Sequence, residues 1–294
     1  MLFGIITGVL AALGQSCSYI FSRNFAVKFG NPFHLMIYSQ LIMGVFALIL
    51  LPFVFDRQMF RDTGFILPLV LSALGYLLGQ GSFFAAIREV EASRLSSLLG
   101  LKLLVLAGIN IIFFGVWLNA WQWAAVLVCV TAALLMNWSG GRLSWKMLMW
   151  LFLCCVFYSL SDIFGREMIL RLSGDLVLCA LTGTALCYIL LGIIAIPLLF
   201  LIRRSRAAFL TALPFAVCWF MAMLFLFICF AAVGTVFGNI VQSSRGVISV
   251  LLGMVLIRLE MAHLESRMTR RVLFRRIFAA LLMMMAIILY TKKK

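Results

Sequence analysis

The chain has 294 residues, of which 65% are hydrophobic and 11% are charged, and its mean hydropathy is +1.18. This composition excludes a soluble globular protein and indicates one polytopic membrane domain. The net charge of +15 lies in short connections and in three lysines at 292–294. These positions indicate contact with membrane lipid headgroups, and no nucleic-acid partner is predicted.

Ten apolar runs are long enough to cross a bilayer, since about 20 residues span its hydrocarbon core. In chain order they are 2–22, 32–55, 65–87, 92–115, 121–138, 146–166, 176–202, 210–233, 236–257 and 272–290. The alternation of a membrane barrel is absent, so the predicted fold class is an all-α integral membrane protein with ten transmembrane helices. Gly75 and Gly79, like Gly234 and Gly238, lie four residues apart, which predicts close helix packing.

The two halves of the chain share short segments at nearly constant spacing. Leu67-Pro68 and the later Phe84-Ala85-Ala86 recur 146 positions further on, and the segment 16–23 resembles 159–166 at an offset of 143. This pattern predicts a first five-helix repeat at 1–140 and a second at 141–294. Five spans is an odd number, so the repeats are predicted to have opposite topology, as in many secondary transporters.

Ionisable residues inside apolar spans are costly and are therefore candidates for function. Lys102 lies in the fourth predicted span, Asp162 near the end of the sixth and Arg245 in the ninth. Two cations against one acid favour a cavity that attracts a carboxylate or phosphate group of a substrate. Asp162 is a solvated cap near the end of its span, a structural partner of Arg166, or a residue that pairs with a cation and takes or releases a proton during the transport cycle.

Other polar residues accompany these charges. Gly238, Gln242, Arg245 and Ser249 are predicted to form a polar stripe on one face of the ninth helix. Hydrogen bonds that orient a substrate are predicted for Gln15, Tyr19, Tyr76, Gln80, Tyr158, Asn239 and Gln242. Hydrogen bonding to a neighbouring helix is the alternative role for each of them.

Sequence patterns of enzymes and of resident cofactors are absent. The chain has no Gly-x-x-x-x-Gly-Lys phosphate-binding loop, no Gly-x-Ser-x-Gly elbow and no metal-ligand spacing. We therefore predict no enzyme activity, no cofactor and no metal. The eight cysteines lie in apolar runs and are interpreted as reduced packing residues.

Glu91, the segment 94–100, Gly115 and Trp121-Gln122-Trp123 resemble the fourth span, tight turn and fifth-span start of EamA-like members of the drug/metabolite transporter superfamily. The segment 238–253 is the corresponding match in the second half. The resemblance implies ten spans and the export or exchange of small metabolites or amphipathic drugs by alternating access, coupled to protons or a counter-substrate. It also implies cytoplasmic termini, whereas the distribution of Lys and Arg among the connections places both termini outside.

The predicted function is a secondary active transporter, an exporter or exchanger, of a small polar or anionic metabolite. Its predicted location is a bacterial inner (plasma) membrane. One alternative is a cationic drug exporter, although few acids lie in the spans. Another is a membrane scaffold or lipid-interacting protein that docks through the arginine-rich 258–276 connection. The sequence leaves the substrate, direction, coupling ion and oligomeric state open.

Overall fold

The computed structural model describes residues 1–87, 99–115, 117–136, 144–245, 248, 251–252 and 270–291. Within these ranges the regular structure is helical, which confirms the predicted all-α class. The α-helices are α1 Leu2–Phe29, α2 Pro32–Val54, α3 Ile66–Ile87, α4 Lys102–Phe114, α5 Ala120–Met136, α6 Trp145–Arg171, α7 Leu176–Leu198, α8 Arg206–Val233, α9 Thr235–Gln242 and α10 Arg270–Thr291.

Six segments of the described chain are long and apolar enough to cross a membrane. They are Leu2–Phe29, Pro32–Val54, Thr63–Phe83, Trp145–Arg171, Leu176–Leu201 and Arg206–Val233. The other apolar helices are shorter, at Leu99–Phe113, Ala120–Leu135 and Leu281–Thr291. The protein is therefore an integral multi-pass membrane protein, while ten complete spans remain a prediction.

The ninth predicted span, 236–257, is not a single regular helix. Helix α9 ends at Gln242, and two turn residues follow it. The Ser243 amide is shared between the carbonyls of Asn239 (3.0 Å) and Ile240 (3.2 Å), and the Ser244 amide donates to the Val241 carbonyl at 3.1 Å, which tightens the last turn. The Ser243 hydroxyl also donates to the Ile240 carbonyl at 2.5 Å, a local bond that competes with the helical ladder.

This break changes the predicted polar stripe. Gly238 and Gln242 lie on α9, whereas Arg245 follows the turn. Ser249 lies outside the described residues. The prediction of one uninterrupted helical face was therefore wrong in this respect, because serine side chains can satisfy backbone groups that would otherwise extend a helix.

The helix ends follow local chemistry. Asn31 caps α2 by accepting the Phe33 amide at 3.0 Å, with Pro32 at the first helical position. Gly234 lies between α8 and α9 with a φ of 85°, a conformation that favours glycine. Its prediction as a helix-packing residue was wrong, since it ends a helix instead.

The chain forms two compact units. Unit 1 comprises Met1–Leu74 and Phe164–Gly234, and unit 2 comprises Gly75–Ile163 and Thr235–Lys294. Each unit combines segments from both predicted repeats, so spatial packing and sequence duplication divide the chain differently. The division into repeats at 1–140 and 141–294 stays a prediction.

Close helix contacts organise unit 1. Helices α1 and α8 are antiparallel neighbours, and α2 packs against α7. A Cβ added at Gly44 would lie 3.0 Å from the Cα of Gly192 and 3.3 Å from the Tyr188 carbonyl. A Cβ added at Gly192 would lie 3.1 Å from the Cα of Gly44 and 3.4 Å from the Gln40 carbonyl. The two backbones therefore touch at a pair of glycines, as small residues in membrane helices permit.

Small residues also bring helices together in unit 2. Ala132 and Ala133 of α5 pack against Ala279 and Met283 of α10. On α3, a Cβ added at Gly75 would lie 3.0 Å from the Phe157 carbonyl of α6. The predicted packing role of Gly75 is confirmed by this contact.

Candidate functional site

Asp162 of α6 is the centre of a polar cluster in unit 2. Its Oδ2 atom accepts hydrogen bonds from Lys102 Nζ at 2.6 Å and from Asn239 Nδ2 at 2.7 Å. The Lys102 and Asp162 side chains are 15% and 14% exposed. A lysine and an aspartate thus form an ion pair that is largely shielded within the protein.

Three helices supply this ion pair and its amide. Lys102 is the first residue of α4, and Asn239 lies on the short α9. The Asn239 amide also donates to the Thr235 carbonyl one turn earlier at 2.9 Å, which fixes its orientation. From α6, the Ser159 hydroxyl reaches the Lys102 carbonyl at 3.5 Å.

Aromatic side chains lie beside the charges. The Lys102 ammonium is 5.7 Å from the centre of the Tyr158 ring, within range of a cation–π interaction. The Tyr158 ring lies 6.2 Å from that of Tyr76, and Gln80 Nε2 donates to the Tyr76 hydroxyl at 3.0 Å. A Cβ added at Gly79 would lie 2.6 Å from the Tyr158 ring, so the glycine makes room for it.

These contacts define a group that we call the Asp162 cluster: Tyr76, Gln80, Lys102, Tyr158, Asp162 and Asn239. All six were singled out from the sequence as substrate-binding or coupling candidates. The structure brings them together from four helices. Whether they bind a substrate stays a prediction.

The observed pairing changes the electrostatic argument. Asp162 pairs with Lys102. The sequence-based alternative in which Asp162 pairs with Arg166 was therefore wrong. In unit 1, Arg166 Nε donates instead to the Phe230 carbonyl at 2.9 Å. Lys102 is therefore a neutralised cation in this conformation, and an anionic ligand would have to compete with Asp162 for it.

Arg245 and Gln242 belong to the same unit. Gln242 is buried, and Arg245 is partly buried directly after the turn that ends α9. Cys129 Sγ of α5 donates to the Ser243 hydroxyl at 3.1 Å and so ties the turn to a neighbouring helix. The substrate-binding roles of Gln242 and Arg245 stay predictions.

Gln15 and Tyr19, the remaining candidates, are in unit 1. Gln15 is buried, and the Tyr19 ring meets Trp219 edge to face at 6.2 Å. Trp219 Nε1 in turn donates to the Tyr188 hydroxyl at 3.2 Å. Sequence reasoning missed Trp219 and Tyr188, although polar aromatic residues in strongly apolar helices were the available signal.

Two further predictions concern a metal site and the arginine-rich connection. In the described part of the chain, no group of three or more His, Cys, Asp or Glu residues is placed to hold a metal. Residues 258–269, most of the connection predicted to dock lipid or protein, lie outside the described residues. The docking alternative therefore stays a prediction.

A largely shielded ion pair, together with six helices long and apolar enough to cross a membrane, defines a polytopic membrane protein with a polar site among its helices. The model of the EamA-like transporter family matches residues 2–138 of the chain. The matched family consists of transporters and not of enzymes, so the match indicates a helical membrane transporter with a small-molecule substrate.

A structural comparison identifies a similar fold. A solved crystal structure matches with a TM-score of 0.73 and 13% identity, covering 98% of this chain and 96% of the other. At this identity the match shows the fold alone. None of the curated proteins matches the sequence.

Proposed function

We propose that the protein is a secondary active transporter, an exporter or exchanger, of a small polar or anionic metabolite. We place it in a bacterial inner membrane. The observation that carries this proposal is the Asp162 cluster. Ionisable side chains among apolar helices are costly, so their presence there points to a functional site. Alternating access is the proposed mechanism.

The contact between α2 and α7 supports the inverted repeat that this mechanism uses. It is reciprocal: Gly44 faces Gly192 and the Tyr188 carbonyl, while Gly192 faces Gly44 and the Gln40 carbonyl. A single offset of 148 positions relates Gln40 to Tyr188 and Gly44 to Gly192. Such a self-complementary contact is what a two-fold relation between corresponding helices produces.

A second pair of contacts supports the same relation. A Cβ added at Gly14 of α1 would lie 2.9 Å from the Ala222 Cβ of α8, and Gly75 of α3 approaches Phe157 of α6 similarly. Phe157 is the residue 143 positions after Gly14. Tyr76, the neighbour of Gly75, is the residue 146 positions before Ala222. Corresponding helices thus cross at corresponding positions.

The ion pair suggests how substrate and proton are coupled. While Asp162 is ionised, it holds Lys102, and an anionic substrate must compete with it. We propose Asp162 as the residue that couples transport to protons, since an anionic substrate that binds Lys102 must displace it.

Thermal stabilisation across a panel of metabolites tests this proposal. The panel contains amino acids, carboxylates, sugar phosphates and organic cations, and a ligand raises the melting temperature by mass action. We expect an anion to stabilise the purified protein. Lys102→Met should abolish this effect, and Asp162→Asn, which removes the competing charge, should strengthen it.

The matched control is Glu167→Gln on the same helix. Glu167 accepts a bond from Arg171 Nε at 2.9 Å, but that pair is much more exposed. The control should respond as the wild type does. Stabilisation by cations alone would instead favour the cationic drug exporter, with Asp162 as the binding group. The absence of any stabilising ligand would favour the scaffold alternative.

A further inference from the structure

An open cleft of about 290 Å³ lies in unit 1. It is formed by the start of α2, the connection after α7 and the start of α8. Its lining residues are Tyr38, Leu41, Leu199, Arg204, Ser205, Arg206 and Phe209. Cationic and apolar side chains thus share one cleft.

Positive charge predominates in the cleft. Among the described residues, neither Arg204 nor Arg206 forms an ion pair, and the sequence has no acid between Asp175 and Glu260. The Arg204 guanidinium lies 4.8 Å from the centre of the Phe200 ring. A ring contact orients a guanidinium without using its hydrogen-bond donors, so these remain available to an anion.

A buried hydroxyl also lines the cleft. Tyr38 is 3% exposed, and its hydroxyl oxygen accepts a hydrogen bond from the Ser205 amide at 2.9 Å. In the described structure its own proton has no acceptor. A buried hydroxyl beside two arginines therefore offers one more donor to an anionic group.

We propose that this cleft binds the phosphate headgroup of an anionic phospholipid. Arg204 and Arg206 would bind the phosphate, and Tyr38 would donate to it. Leu41, Leu199 and Phe209 would contact the upper acyl chains, and the exposed Phe200 and Leu201 continue this apolar surface. Charge complementarity selects the lipid, because basic pockets between membrane helices bind anionic headgroups.

Titration of delipidated protein with phosphatidylglycerol in detergent tests the site, with melting temperature and native mass spectrometry as readouts. Phosphatidylglycerol should bind more tightly than phosphatidylcholine, and inorganic phosphate should not reproduce the stabilisation. The double substitution Arg204→Gln with Arg206→Gln should weaken phosphatidylglycerol binding by about fivefold for each arginine. Arg61→Gln, an exposed arginine on another connection, is the matched control and should bind as the wild type does.

Several outcomes would overturn the proposal. Equal binding of the two lipids by the wild type would remove the anionic selectivity, and this measurement needs no variant. An equal loss in Arg61→Gln would indicate general surface charge. Saturable stabilisation by inorganic phosphate alone would assign the cleft to a free anion. If the double variant does not fold, Tyr38→Phe keeps the charges and should still weaken phosphatidylglycerol binding.

Discussion

At the scale of single residues, the Lys102–Asp162 pair shows how two opposite charges are accommodated among apolar helices. The two atoms lie 2.6 Å apart, and Asn239 adds a second donor to the same carboxylate oxygen. A charge left alone in such surroundings is strongly destabilising, whereas a pair that is removed together leaves no uncompensated charge. The stability effect of each residue therefore depends on the presence of the other.

A double-mutant cycle measures this dependence. Lys102→Met and Asp162→Asn should each lower the free energy of unfolding by about 3 kcal/mol. The double variant should lose less than the sum, by more than about 1 kcal/mol. Unfolding in mixed micelles, followed by circular dichroism, provides the measurement.

The exposed Arg171–Glu167 pair is the control for this cycle. Its side chains are 47% and 32% exposed, so its coupling should be about 0.5 kcal/mol or less. Additive losses at Lys102 and Asp162 would contradict a specific pair. Equal coupling in the two cycles would show that shielding from solvent contributes nothing.

At the scale of helices, glycines set how closely the elements approach. Helices α2 and α7 touch backbone to backbone at Gly44 and Gly192. Lipid chains are as apolar as the helices, so dense packing rather than the hydrophobic effect holds such pairs together. A side chain placed at the contact must separate the two backbones.

Gly44→Ala should therefore destabilise the protein by about 1–3 kcal/mol, the usual cost of overpacking. Gly81→Ala is the matched control, because an added Cβ there has no neighbour within 4 Å. The control should be neutral or slightly stabilising, since alanine favours the helix. Melting temperatures of both variants in one detergent decide the matter, and equal values would contradict the close contact.

At the scale of the whole molecule, a helix that crosses the bilayer puts the connections at its two ends on opposite sides of the membrane. The Ser173 amide, just before α7, donates to the Met59 carbonyl at 3.2 Å. Helix α7 then runs 23 residues, or about 34 Å, to the connection that contains Arg203. We therefore predict that the connection around Arg61 and the connection around Arg203 lie on opposite sides of the membrane.

Cysteine labelling in intact cells tests this topology. Arg61→Cys and Arg203→Cys, each on a background that does not itself react, should be modified from opposite sides by an impermeant thiol reagent. Reaction of both positions from the same side would refute α7 as a spanning helix. The side that labels Arg203→Cys also identifies the leaflet of the proposed lipid site.

The sequence predicted the helical class, the order of the helices and six residues that meet in the Asp162 cluster. These features follow from local composition, because a long apolar run must form its hydrogen bonds within a helix and a charge inside it is conspicuous. The resemblance to EamA-like transporters was likewise evident from segments of both halves, and the family model matches residues 2–138.

Only the tertiary structure determined which distant residues contact one another. Lys102 and Asp162 are 60 positions apart, and Asp162 and Asn239 are 77 apart. The choice of Lys102 over Arg166, four residues away on α6, depends on how the helices pack rather than on spacing along one helix. The same holds for the Gly44–Gly192 contact and for the break after Gln242. The sequence by itself determined which segments are helices, because that depends on short-range bonding, whereas pairing between distant charges depends on helix contacts that no local pattern records.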